Sequence, residues 1–92
     1  MVDVATVRDR LRISHTFIDS QLRADILAAK AELKRLGVSS SAVDEGDELI
    51  DKAIIAYCMW VESSNDKMAE GYEVMWNQWR DELRKSVEYR NV

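Results

Sequence analysis

Proline is absent from the chain, and glycine occurs only three times, at Gly37, Gly46 and Gly71. Small strand-rich domains need more turn residues than that, so the composition favours helices. Cysteine is equally scarce. Cys58 stands alone, which excludes an intrachain disulfide and leaves nothing to point to an oxidising compartment. His15 is the only histidine. A zinc site or a Cys–His nucleophile pair would have to be built from these two residues, with no second histidine or cysteine to complete a usual ligand set. His15 therefore reads as a loop or cap residue, and Cys58 as a small buried hydrophobe. No Gly-rich phosphate loop and no nucleophile elbow occurs, so no catalytic residue, metal or cofactor is assigned. No apolar run approaches the ~20 residues needed to span a bilayer. The stretch after Met1 is polar and has no core of signal-peptide length, which predicts a soluble, intracellular protein when made.

What is present is helical periodicity. Across 18–36, apolar residues fall at Ile18, Leu22, Ile26, Ala29, Leu33 and Leu36, steps of four, four, three, four and three. That spacing puts all six on one side of an α-helix. Lys34 and Arg35 suit its last turn, and Gly37 can adopt the left-handed conformation that closes it. The pattern predicts that 18–36 is the central helix of the domain. Thr16 and Asp19 have the spacing of a capping box, with Ser14 as the other cap candidate, and Phe17 is expected to staple the first turn to the core. A short helix is predicted over 3–11, capped by Asp3, with Val4, Val7 and Leu11 as its stripe. The serine-rich and acidic stretch 38–46 reads as an exposed loop.

A third helix is predicted over 47–62, capped by Asp47. Ile50, Ala53, Ile54, Tyr57, Cys58 and Val61 share one face, while Leu49, Ile55, Met59 and Trp60 carry apolar character around the cylinder. Such a helix is central to the core or shared with a partner. Ser63 and Asp66 sit at capping-box spacing in the break that follows. The last helix is expected over 66–88, with Met68, Tyr72, Met75, Trp76, Trp79, Leu83 and Val87 as its stripe and fraying over 88–92 unless a neighbour holds the end. Gly71 inside it costs roughly 1 kcal/mol relative to alanine, which predicts a close contact there. The expectation is one all-α domain over 1–92 with four helices, a short first one and three longer ones, and a core just able to sustain itself.

Charge is unevenly spread. Residues 1–38 hold seven Lys/Arg and five Asp/Glu, 39–73 hold two and nine, and 74–92 hold four and three, for a total of −4. Basic ends and an acidic middle could meet head to tail in neighbouring copies. The acidic run Asp44, Glu45, Asp47, Glu48, Asp51 lacks the alternating oxygen ligands and closing glutamate of a calcium loop. Arg8, Arg10 and Arg12 alternate near the N-terminus, a weak signal for phosphate contact. Three tryptophans are many for so small an interior, and aromatics are enriched at protein interfaces. Trp76 and Trp79 are not expected to be both fully buried in a monomer. The candidate interface residues are therefore Trp60, Tyr72, Trp76 and Trp79, with Arg8 and Arg12.

Taken in order, the stretches VRDRLRIS, ILAAKAELKRLGV, DELIDKAIIAYCMWVES and LRKSVEYR make the chain resemble the head–tail connector, or DNA-packaging adaptor, proteins of long-tailed bacteriophages and their prophages. The resemblance implies a small helical, non-enzymatic subunit of a homo-oligomeric ring at the head–tail junction of the virion, held in host cytoplasm before assembly. The ring would sit between the portal protein and the next head–tail joining protein. DNA would pass through it without sequence-specific binding, and no membrane would be involved. The tryptophan-rich end, Trp60, Trp76 and Trp79, departs from the family pattern. The other readings are a helix-turn-helix DNA-binding regulator, disfavoured by the acidic balance, and a helical partner-binding adaptor.

Overall fold

Asp3 starts the first helix as its sequence position requires. Its carboxylate accepts a hydrogen bond from the Thr6 amide at 2.9 Å and another from the Thr6 hydroxyl at 2.8 Å. The computed structural model describes residues 2–12, 16–63, 65–86 and 89. Within them the chain forms α1 (Val4–Arg10), α2 (Asp19–Arg35), α3 (Ser40–Glu45), α4 (Glu48–Glu62) and α5 (Asp66–Lys85), with no strand among the described residues. The domain is all-α. His15 and Ser14 lie outside the described residues.

α2 follows the periodicity closely. Leu22, Ile26, Ala29 and Leu33 are buried, with Ile18 and Leu36 half-buried at its ends. Its C-terminus closes as a Schellman motif. The Val38 amide reaches the Leu33 carbonyl at 3.0 Å and the Gly37 amide the Lys34 carbonyl at 3.1 Å, with Gly37 at φ +95°. The N-terminus is different from the expected capping box. Ile18 occupies the cap position without a side-chain bond, and only the backbone carbonyl of Thr16 takes part, accepting from the Asp19 amide. Phe17 does not staple the helix; it is 88% exposed.

The stretch 38–46, expected as a loop, contains α3. Ser39 caps it, its carbonyl accepting from the Val43 amide at 3.0 Å, and Gly46 ends it at φ +75°. Polar composition concealed two apolar anchors, Val38 and Val43, both fully buried. Their burial on α2 offsets the poor intrinsic stability of a single helical turn and a half. The ion pair of Lys34 with Asp44 at 2.7 Å joins α2 to α3.

α4 lies between α2 and α5 and also touches α1. It, and not α2, is the helix through which α5 joins the rest of the fold. The reason is circumference: Ile50, Ala53, Ile54, Ala56 and Cys58 are all buried and point in different directions around it, while α2 buries a single stripe. The Asp47 carboxylate caps α4 through the Ile50 amide at 3.0 Å. α5 is capped by Asn65, whose side chain accepts from the amides of Lys67 and Met68, so the expected Ser63–Asp66 box is not used. Helix α5 ends at Lys85, short of the predicted 88. Tyr89 is held by neighbours: its carbonyl accepts from the Ser39 amide and its hydroxyl donates to Asp47. The rest of 88–92 lies outside the described residues. Gly71 makes no close approach; a Cβ placed there would meet nothing within 4 Å.

Candidate functional site

Periodicity divides the apolar surface of α5 into two flanks. Trp76 and Leu83 point into the core, and Trp76 retains 2% exposure. Tyr57 of α4 meets Trp76 edge-on at 5.1 Å between ring centroids and meets Trp60 at 5.8 Å, a cluster that locks α4 to α5. Met68, Tyr72, Met75 and Trp79, spaced four, three and four apart, fall on the neighbouring flank. There Tyr72, Met75 and Trp79 face Ile55, Ala56 and Met59 of α4 across a groove of about 400 Å³, with Arg10 and Lys52 at its rim, and Met68 lies beyond it. A second hollow of about 620 Å³ continues it past the C-terminal end of α4. The two share Arg10, Met59 and Tyr72, and Arg12 and Glu62 stand at the far rim. The groove is open: Met68 is 54% and Met75 42% exposed.

The rim is mainly cationic. Lys52 sits 5.5 Å from the centroid of the Trp79 ring and 3.4 Å from Glu48, one turn back on α4. Arg10 and Arg12 have no ion-pair partner among the described residues, and Arg12 holds a left-handed backbone at φ +58° just after α1. Glu62 is engaged elsewhere, accepting from the Gln21 side-chain amide through both oxygens, at 2.8 Å to Oε2.

The structure therefore separates the residues that the sequence grouped. Tyr72 and Trp79 line the groove and Arg12 stands at its edge. Trp76 belongs to the core and Trp60 is half-buried beside Tyr57. Arg8 lies apart, between α1 and α2, paired with Asp19 at 3.1 Å; the facing Nε and Oδ1 are both shut off from water, so each is the other's partner. The groove residues not singled out as an interface were Arg10, Lys52, Ile55, Met59, Met68 and Met75. The four-three-four spacing on α5 was visible, but which of its flanks α4 would leave open was not.

A second group of ionisable residues lies between α2 and α4. Burial pushes the Cys58 thiol up to about 12, with the charges of Asp25 and Glu62 adding to the shift, so it remains protonated and unreactive at neutral pH. Asp25 is raised by burial, and Glu62 by burial and then by Asp25, with Gln21 acting in the opposite sense. Among the described residues no group of three His, Cys, Asp or Glu is placed to hold a metal ion. None of the described helices is long and apolar enough to cross a membrane.

Fold and site together define a small all-α domain with an open, cation-rimmed apolar groove. Comparison with family models, curated proteins and solved structures finds no match.

Proposed function

We propose that the chain is a structural subunit of the tailed-bacteriophage head–tail connector type, assembling as a ring beneath the portal, bridging it to the next joining protein and helping to retain packaged DNA. The observation that carries this reading is the ordered set of family-like stretches, from VRDRLRIS through DELIDKAIIAYCMWVES to LRKSVEYR, which runs through nearly the whole chain. Ring closure requires two different complementary surfaces on each subunit. The acidic corner formed by Asp44, Glu45 and Glu48 lies at the N-terminal end of α4, and Arg10 and Arg12 lie by its C-terminal end. Fifteen helical residues separate them, about 22 Å of rise. A net charge of −4 also suits a channel that lets DNA slide without gripping its phosphates. The regulator reading loses support from the pairing of Arg8 with Asp19, which engages one of its three arginines with a carboxylate of the chain itself.

Light scattering over a wide concentration range, followed by electron microscopy of the heaviest fraction, tests the proposal. Closed rings are the expected outcome. A discrete dimer that retards duplex DNA in a salt-dependent gel shift would overturn it in favour of a regulator.

A further inference from the structure

We propose that the groove between α4 and α5 is a docking site for an acidic amphipathic helix of another protein. The four-three-four spacing of Met68, Tyr72, Met75 and Trp79 is that of a helix seam, so a third helix laid in the groove would meet one of these side chains at every turn. From Met68 to Trp79 the seam runs about 16 Å, room for three turns of the incoming helix. Methionines form much of the floor, and their unbranched, polarizable side chains adapt to a partner's shape. The rim selects for charge. Arg10 and Arg12 are without ion partners among the described residues, and Lys52, over the Trp79 ring, has an exposed ion pair with Glu48, so carboxylates on the incoming helix would find three cations.

The chain's own described helices do not supply that occupant. α2 presents an open apolar side at Ala24, Leu27, Ala28 and Ala31, but Arg23 flanks it with the same charge as the rim, and the carboxylate beside it, Glu32, is already held by Arg35 at 2.6 Å. The acidic corner has the right charge, but α3 is only six residues long and buries its Val43 against α2. Apolar helix face and negative charge are not found together, and a heterologous partner brings both. This inference stands independently of ring formation, which rests on contacts between like chains.

The test uses the full chain and two synthetic stapled helices of about fourteen residues, long enough to cover the seam. Both carry leucines at alternating three- and four-residue spacing. One has glutamates on the flanks, and its twin has lysine in place of each glutamate. In fluorescence anisotropy the glutamate peptide is expected to bind at least about ten-fold more tightly than its twin, with the preference shrinking as salt is added. Met75→Glu, at an exposed position, should abolish binding while circular dichroism remains unchanged. Arg10→Glu combined with Lys52→Glu should reverse the preference between the twins. Equal binding of the two peptides, or no binding of the glutamate peptide, overturns the proposal. So does self-association that Met75→Glu dissolves, since a second copy would then fill the groove. Rings that form normally from a chain that binds neither peptide would refute this docking site and leave the connector reading intact.

Discussion

Two glycines carry opposite lessons. Gly37 sits at φ +95°, where a side chain is strained whatever the space around it. Gly71 is an exposed mid-helix position with open space where a Cβ would go. Gly37→Ala should therefore destabilise the fold by ~1–2 kcal/mol, and Gly71→Ala should stabilise it by ~0.5–1 kcal/mol. Urea denaturation of both variants checks the pair, and shifts of the same sign would refute the account. Leu33 lies fully buried at the end of the α2 stripe. Leu33→Ala is expected to cost ~2–5 kcal/mol by the same measurement, from lost burial and the residual cavity. These are local arguments. Leu33 and Gly37 were legible because each obeys a rule of helix geometry. Gly71 was misread because its cost within the helix is visible in sequence, while the presence or absence of a neighbour is not.

At the scale of elements, caps and stripes were readable wherever a helix had a strong local signature. Asp3, Asp47 and Gly37 act as their positions required. The failures share one cause. α3 is stabilised by Val38 and Val43 packing against other parts of the chain, and six residues that begin with two serines, after a third at the cap, give no periodicity. Asn65 displaced Ser63 as a cap because helix start points shift by a residue or two with the path of the chain. Tyr89 joins the far end of the chain to the start of α4. Its hydroxyl donates to Asp47, while its carbonyl accepts from the Ser39 amide. Tyr89→Phe removes only the first bond and is expected to lower stability by about 1 kcal/mol. Thermal unfolding measures it, and an unchanged melting temperature would show that this bond contributes nothing.

Over the whole molecule, ionisable groups pull stability in two directions. Asp25 and Glu62 are raised by burial, so protonation favours the folded state and their contribution grows as pH falls through their folded values. Asp3 is held low by the Thr6 amide and hydroxyl, and Glu32 by Arg35. Burial opposes the shift of Asp47, but the Ile50 amide and Tyr89 hydroxyl outweigh it and hold it low as well. Stability from these three is lost as pH falls through their lowered values. Melting temperature should therefore rise as pH falls from neutrality through the raised values of Asp25 and Glu62, then fall at more acidic pH as the lowered carboxylates are protonated. Asp25→Asn should flatten the first limb. A rise of unchanged size in that variant would exclude Asp25 as its source. Trp79 belongs to this scale too, because it lines the open groove under Lys52. Trp79→Ala is expected to weaken association with a partner more than it weakens the fold, compared by sedimentation and by denaturation. Equal losses would assign Trp79 to the core.

The sequence by itself determined that the domain is all-α, where four of its five described helices run, and that Asp3 and Asp47 cap α1 and α4 while Gly37 closes α2. Those properties follow from backbone geometry and side-chain spacing along one segment. Only the tertiary structure decided that α4 is the helix through which α5 joins the fold, that Trp76 is buried in the core while Trp79 stays half-exposed at its edge, and that one flank of α5 stays open between cations. A helix stripe states which residues avoid water. Which neighbour covers each part of that stripe depends on contacts between segments distant in sequence, and so does the part left uncovered.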